Sequence, residues 1–417
     1  MSVEEAAGRS VLTRLVREVL PREHVCFATG YGSGVFAQRS QLHICDQKNR
    51  AWKEEKPVLD CLLVVGGGRA ALEKWHAANL ARNSAHYGGI LAAISTNAQL
   101  PHRLLQSAMQ IGCGMHFVSP FDATTTTTTM TGGAGDYTSM CADGHDDDDE
   151  IERVRCKYGV LGIDDAIDDL QSWKMLAFAG RMQKPTMELA LHDCRRVAND
   201  DDDNADTKRS EDEEAHARLM EAQTRNLRSA LATALLLLPD EFGERELFRS
   251  IVGLSYGGDV RVVLGAERLT KVSDIAEGSA AGMRAMYADL ISSMLDRVVT
   301  GHTPEDNVYR SALNPHELVR ILPEWPRKEC AALLASNSGA GTGSNTGDAD
   351  AIWHACRRVA TRERSTNDIL RTHIRLSLRR IVFRSSARML LHAALTTNAT
   401  RAVTYAYAKL AKGLLVR

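Results

Sequence analysis

Residues 58 to 65, Val-Leu-Asp-Cys-Leu-Leu-Val-Val, are an apolar run broken by a single carboxylate, Asp60. The run is short and is stopped by Gly66-Gly67-Gly68, so it predicts a strand buried on both faces. An ionised carboxylate on such a strand costs several kcal/mol unless something pairs with it. Whatever this chain folds into must therefore bring a metal ion or a cationic side chain to Asp60.

The segment upstream narrows the choice. His24 to Ala28 reads as a strand and leads into Gly30-Tyr31-Gly32-Ser33-Gly34. Glycines let a backbone approach a ligand closely, and the N–H groups of such a turn can cradle phosphate oxygens. Ser33 lacks glycine at both flanking second positions, which excludes a hydrolase elbow, and no Gly-Lys-Ser/Thr closes a P-loop. Gly66-Gly67-Gly68-Arg69-Ala70-Ala71 has a dinucleotide-turn form, but no acid lies between Lys74 and Phe121 to hold a ribose. Taken alone, the Gly32-Ser33-Gly34 turn is equally a plain turn. With a strand-borne Asp60 after it, it has the nucleotidyltransferase arrangement, in which the loop holds a triphosphate and the acid holds Mg²⁺. That pattern usually has a second acid two residues on, where this chain has Leu62. Asp259, in Ser255-Tyr256-Gly257-Gly258-Asp259, is the candidate for the missing metal ligand, with an ordinary turn aspartate as the alternative. Lys157-Tyr158-Gly159 and Lys184 in Arg181 to Pro185 supply cations for phosphates, although each singly also suits a surface. Asn79, Asn83, His86 and Tyr87 recur at helical spacing, which a hydrogen-bonded helix face explains.

Strand and helix patterns mix before residue 163 and helices dominate after it, which predicts an α+β fold. The expected organisation is a mixed-sheet domain over 1–163 and a mainly helical, winged-helix-like domain over 164–335. A linker over 336–350 and a basic amphipathic C-terminal region over 351–417 follow. An amphipathic helix from Val11 to Leu20 ends at Pro21, Ala70 to Leu80 is a second helix, and Met115 to Val118 a further strand. Later helices are expected over Ile167 to Arg181, Leu219 to Leu238 and Glu244 to Leu254, then a two-stranded wing from Val260 to Leu264 and Leu269 to Val272. Asp122 to Glu150, Asn199 to Glu214 and Ser336 to Asp350 are low in complexity and are expected to be surface loops.

Nine scattered cysteines without a Cys-x-x-Cys pair read as thiols of a reducing compartment. No apolar run has the roughly 18 to 20 residues of a membrane span, and the first ten residues match neither a signal peptide nor an acid-poor transit peptide. From Arg371 to Arg417 there are ten Lys or Arg and no acid, among apolar residues such as Leu376, Leu378, Ile381 and Leu390. Arg379, Arg380, Arg384, Arg388, Lys409 and Lys412 are therefore expected to meet an anionic membrane surface, with nucleic acid as the rival partner. Few aromatics interleave with these cations, so no nucleic acid is expected.

Residues in fixed order carry a resemblance. Phe27-Ala28, Tyr31 to Phe36, Leu59-Asp60, Trp75-His76 with Asn79, Asn83 and His86-Tyr87, and Lys157 to Val160 resemble the mitochondrial phosphatidate cytidylyltransferases. So do Trp173, Ala179 to Pro185, Asn226 with Ala234 to Pro239, Leu254 to Asp259, Ser385-Ser386 and Tyr405 to Leu410. The resemblance runs from about Val25 to the end and skips the three low-complexity segments. It implies a nucleotidyltransferase domain, a winged-helix-like domain and a peripheral attachment to the matrix face of the inner mitochondrial membrane. It also implies the reaction of CTP with phosphatidic acid to give CDP-diacylglycerol and pyrophosphate, feeding cardiolipin and phosphatidylglycerol synthesis. The family's strand likewise carries one Asp, so Leu62 does not signal an inactive site. The alternatives are a nucleotidyltransferase acting on RNA and a non-catalytic membrane assembly factor.

Overall fold

The computed structural model describes residues 3–32, 35, 58–83, 86–87, 114–117, 121–126, 151–189, 205–263, 268–299, 303, 306–338 and 347–396. Helix α1 (Val3–Arg14) continues through a π turn, Leu15–Val19, and stops ahead of Pro21. Then come β1 (Val25–Tyr31), β2 (Leu59–Val65), α2 (Gly68–Arg82), β3 (Met115–Phe117), β4 (Phe121–Thr126) and the long β5 (Ile151–Gly162). The next elements are α3 (Ile163–Ser172), the short α4 (Ala179–Met182), β6 (Met187–Glu188) and the long α5 (Ala205–Leu237). After these lie β7 (Glu241–Gly243), α6 (Glu244–Gly253), the single turn α7 (Val260–Val263), α8 (Lys271–Gly278) and α9 (Ala280–Met294). The chain continues with β8 (Leu295–Val299), β9 (Val308–Ser311), α10 (Pro315–Ile321), α11 (Glu324–Ser338), α12 (Ala349–Val359) and α13 (Thr366–Thr396).

The fold is α+β. Strands β3, β5, β2, β1 and β6 lie side by side, with β4 also paired to β5, and only the β2–β5 pair is parallel. A second, smaller antiparallel sheet has the order β7-β9-β8. Because strand side chains alternate, the two faces of the large sheet bury two different sets. Leu59, Cys61, Leu63 and Val65 of β2 pack with Tyr158 and Val160 of β5 against Leu12, Leu15, Leu72 and Trp75. Leu62 and Val64 face the other way and join a core that runs on through α3 and α5 to Ile374, Leu378 and Ile381 of α13. No described helix is long and apolar enough to cross a membrane.

Several expectations are corrected. The continuous helix expected over Ile167 to Arg181 breaks after Ser172, where Trp173 takes a left-handed conformation at φ 55°. Asp169 causes the break: its carboxylate accepts the backbone N–H groups of Met175 (3.0 Å), Leu176 (2.8 Å), Phe178 (2.8 Å) and Ala179 (3.0 Å). Four charge-assisted bonds outweigh the i to i−4 bonds a helix would make there. The two-stranded wing is absent. Val260–Val263 is a helical turn because Asp259 caps it, its Oδ1 accepting Arg261 N at 2.8 Å and its carbonyl accepting Val262 N at 3.0 Å. Lys271 to Gly278 is helical as well, so the second proposed wing strand is also lost.

The expected loops are in part regular structure. Residues 205–214 belong to α5, whose acidic turns extend over the sheet edge, where His216 lies 3.3 Å from the Cys26 carbonyl. Residues 122–126 form β4 and pair with β5, whereas 127–150 lie outside the described residues. Residues 336–338 complete α11 and 349–350 begin α12.

Asp169→Ala leaves three buried N–H groups and the half-buried one of Met175 without their acceptor, at about 1 to 3 kcal/mol for each buried group before relaxation. Urea unfolding should show a loss of more than about 3 kcal/mol, with Asp169→Asn losing less. A loss under about 1 kcal/mol for the alanine variant would show that this carboxylate does not organise the loop.

Candidate active site

The pairing register builds the site. Tyr31 lies opposite Asp60 across β1 and β2, and Asp60 lies beside Lys157 across β2 and β5. Tyr31, Asp60 and Lys157 therefore form one row on the sheet face that also buries Leu62 and Val64. Lys157 Nζ stands 2.8 Å from Asp60 Oδ1, with the two side chains 28% and 13% exposed. The ammonium approaches as a charge, since no aligned hydrogen bond reaches that buried oxygen among the described residues. The carboxylate expected on the apolar strand thus has the cation it requires.

Gly32 closes the row. It has φ 81°, and a Cβ there would sit 2.8 Å from Asp60 Oδ2, so a side chain would both strain the turn and strike the carboxylate. The turn itself is closed by Val35 N donating to Gly32 O at 3.2 Å. Ser33 and Gly34 lie outside the described residues.

Further cations come from the loop that Asp169 organises. The Arg181 guanidinium lies 5.7 Å from the Tyr31 ring centre and 5.0 Å from that of Phe117, a cation–π position between two strands. Lys184 Nζ donates to Ser255 Oγ at 2.9 Å and sits 5.2 Å from the Tyr256 ring centre. Burial, then repulsion from Arg181 and Arg261, brings the Lys184 ammonium down to about 7. The Tyr31 hydroxyl is pushed up by burial, with Arg181 opposing that rise. Asn226 on α5 holds the loop in place: its Oδ1 accepts Trp173 Nε1 (2.9 Å) and Gln183 Nε2 (3.1 Å), and its Nδ2 donates to Ala179 O (3.1 Å).

Asp60, Gly32 and Lys157 meet on one face of the sheet, whereas Lys184 is placed by its contacts with Ser255 and Tyr256. Asp259 is 2% exposed and both its oxygens are engaged by Arg261, at 3.1 Å from Nε to each and 2.6 Å from Nη2 to Oδ2. Tyr158 points away, into the opposite core, where its hydroxyl accepts Asn79 Nδ2 at 2.7 Å and meets His86 Nδ1 at 3.0 Å. Period-two alternation makes this unavoidable once Lys157 faces Asp60. Asn79 also donates to Tyr87, and Asn83 to Val19 O and Asn79 Oδ1, so the polar helix face is hydrogen-bonded within the protein, as its plainer reading had it. Tyr31, Phe117 and Arg261 are site residues that sequence reasoning missed. The i, i+2 spacing of Asp259 and Arg261 at a helix start was the available signal for the last.

A family model described as mitochondrial phosphatidate cytidylyltransferase matches residues 12–412. The chain belongs to this family. It is 27% identical over 276 residues to the mitochondrial phosphatidate cytidylyltransferase of Dictyostelium discoideum, covering 64% of this chain and 51% of that protein. To that of Mus musculus it is 27% identical over 307 residues, 72% of this chain and 68% of the relative. To that of Schizosaccharomyces pombe it is 26% identical over 399 residues, 93% of this chain and 80% of the relative. The chain thus spans about half of the Dictyostelium relative it matches and more of the others. The shared stretch includes the whole Tyr31, Asp60, Lys157 row, since the family match begins before β1 and ends after α13.

A Lys184 brought down to about 7 is largely neutral at pH 8, and a bound polyanion raises its proton affinity again. Binding of inorganic tripolyphosphate at pH 8 should therefore take up a proton, seen by calorimetry in buffers of different ionisation enthalpy. The extra uptake should vanish in Lys184→Arg and fade toward pH 6, where the amine is already charged. Equal uptake by both proteins at pH 8 would refute it.

Proposed function

We propose that this chain transfers the cytidylyl group of CTP to phosphatidic acid, giving CDP-diacylglycerol and pyrophosphate. The observation that carries the reading is the row of Tyr31, Asp60 and Lys157 beside Gly32, with Arg181 over Tyr31, in a chain of the phosphatidate cytidylyltransferase family. In this reading the large sheet, built from strands within 1–163 and completed by β6 (Met187–Glu188), belongs to a nucleotidyltransferase-fold domain. The later helices with the three-stranded sheet form a winged-helix-like unit over 164–335, whose wing is β8 and β9 instead of the segment near Val260.

Asp60 suits Mg²⁺. Its Oδ1 is buried without an aligned hydrogen bond, and Gly32 keeps the space beside Oδ2 clear of a side chain. Mg²⁺ takes few protein ligands and completes its shell with water and substrate phosphates, so one strand carboxylate fits that habit. When bound there, the ion supplies neutralisation of charge on the transferred phosphoryl group. The lipid phosphate oxygen attacks the α-phosphorus of CTP; a new P–O bond forms there as the bond to the β-phosphate bridge breaks and pyrophosphate leaves. Gly32 gives the triphosphate close approach to the backbone. Lys157 and Lys184 bind its oxygens, with Lys157 exchanging Asp60 for phosphate. The attacking phosphate is already ionised at neutral pH, so no strong general base is required.

The lipid substrate calls for an anionic membrane surface, which we assign to α13. Its outer face exposes Leu376 (39%), Phe383 (51%), Leu390 (39%) and Leu391 (52%) among Arg375, Arg379, Arg380, Arg384 and Arg388. Arg384 also pairs with Glu329 on α11, and Arg388 Nη1 approaches Met175 Sδ at 3.8 Å. Lys409 and Lys412 lie outside the described residues. The family name of the relatives supports the mitochondrion, and we assign the matrix side of the inner membrane.

Labelled CTP, Mg²⁺ and phosphatidic acid vesicles should yield label extractable into organic solvent, reduced at least about 100-fold in Asp60→Asn, as for removal of one transition-state stabiliser. Label in RNA, or none from a folded protein, would overturn the reading. The inner face of α13 buries Ile374, Leu378, Ile381 and Val382, so deleting the segment would strip the core. The membrane test is therefore Phe383→Glu with Leu390→Glu, which should abolish flotation with anionic vesicles at an unchanged melting temperature. Unchanged flotation would contradict the assignment to α13.

A further inference from the structure

The position two residues beyond Asp60, where the nucleotidyltransferase arrangement usually has a second acid, is Leu62. On the same sheet face Leu62 lies beside Gly159 of β5, just as Asp60 lies beside Lys157. Other side chains fill the room that Gly159 leaves: a Cβ there would come within 2.8 Å of Phe117 Cε1 and 3.0 Å of Leu62 Cδ2. Phe117 is paired with Gly159 from β3, and Tyr31 with Asp60 from β1, so the two rings flank the β2–β5 pair on the Asp60 face. The Arg181 guanidinium is within reach of both, 5.0 Å from the Phe117 ring centre and 5.7 Å from that of Tyr31. Contact with both flanking strands puts this charge above β2 and β5, at the level of Leu62. Its Nη1 donates to Ala177 O, inside the loop that Asp169 organises.

We infer that Arg181 is a catalytic residue that takes the place of a second metal ion, so that the site works with one divalent ion, at Asp60. In a two-ion site one ion steadies the leaving oxygens and the other the attacking oxygen. An attacking hydroxyl needs the second ion because it must lose a proton. A phosphate nucleophile is already ionised and has only to be brought against another anion. A guanidinium meets that need, since it is permanently charged and presents several N–H donors in one plane, enough for an oxygen of each phosphate. In this role Arg181 bonds a non-bridging oxygen of the α-phosphate and an oxygen of the lipid phosphate. The lipid oxygen forms the new P–O bond as the bond to the β-phosphate bridge breaks, and the electron pair of that bond leaves with pyrophosphate. Packing between two rings orients the guanidinium without cancelling its charge. A second dication at this level would meet the apolar Leu62 and a like charge. Asp259 offers no replacement, because it is 2% exposed and both its oxygens are engaged by Arg261.

This rests on the nucleotidyl-transfer reading, and its test separates the two. The full chain is dialysed against Mn²⁺ with α,β-methylene-CTP, which cannot be cleaved at the bridge, and bound Mn²⁺ is counted by electron paramagnetic resonance. Turnover is read with CTP and phosphatidic acid vesicles. The wild type should hold one Mn²⁺ per bound nucleotide, and Asp60→Asn should lose it. Arg181→Gln should keep that ion and the melting temperature of the wild type while turnover falls about 100-fold, with the loss in kcat and not in the KM for CTP. Arg181→Lys keeps the charge without the planar fork and should fall between the two, which covers the case in which Arg181→Gln does not fold. Two Mn²⁺ per bound nucleotide in the wild type, loss of the ion in Arg181→Gln, or a kcat loss under about threefold in that variant would overturn the inference while leaving the function intact. A wild-type protein that binds neither the nucleotide nor Mn²⁺ overturns the functional reading itself.

Discussion

The contact between Lys157 and Asp60 is what the rest of the site is arranged around. It joins the two parallel strands of the sheet at a point where burial makes an unpaired carboxylate costly, and it fixes which face of each strand is polar. A slip of one residue in the β2–β5 register would turn Asp60 into the Leu12, Trp75 core and expose Cys61. Tyr31 and Gly32 then have only one place to be, because β1 is paired to β2 from Val25 to Tyr31. Gly32, just past the end of β1, is required where the backbone passes Asp60, and no residue of β1 itself has a positive φ.

The other half of the site comes from buried polar groups that hold loops. Asp169 folds residues 173–179 around its carboxylate, and Asn226 pins that loop to α5. The outcome is that Arg181 is carried to the sheet face, and Lys184 to Ser255 and Tyr256, by a structure with little conformational freedom, which suits electrostatic preorganisation. α13 completes the frame. Its inner face is core and its outer face is the surface assigned to lipid, so the helix that meets the membrane also presses on the turn holding Asp259 and Arg261.

Much of this was legible in the sequence, and the failures share a cause. An apolar run with one acid was enough to place β2, and a glycine turn before it was enough to place β1. Asp60 needed a cation, but spacing alone offered Lys157 and Tyr158 together, and strand alternation admits only one of them to the site. The helix through Trp173 and the wing near Val260 were misread because the decisive interactions are side chains bonding distant or capped backbone, which no periodicity records. The acidic stretch before Leu219 has the charge density of a loop, yet it extends a helix whose apolar part is anchored in the core. The basic C-terminus reads in sequence as an amphipathic membrane-binding region, and its second, buried apolar face is added by the structure. Two apolar stripes on one helix, one buried and one exposed, cannot be told apart by counting cations.

The account stands on the nucleotide lying against the Tyr31, Asp60, Lys157 row. A crystal structure of the chain with CTP and Mg²⁺ measures this directly. The predicted result is a metal ion at about 2.0 to 2.1 Å from an Asp60 oxygen, with Lys157 turned from Asp60 to a phosphate and the triphosphate passing Gly32. A nucleotide on the Tyr158 face of the sheet, or a bound triphosphate with the Lys157 to Asp60 pair intact and no metal at Asp60, would contradict it.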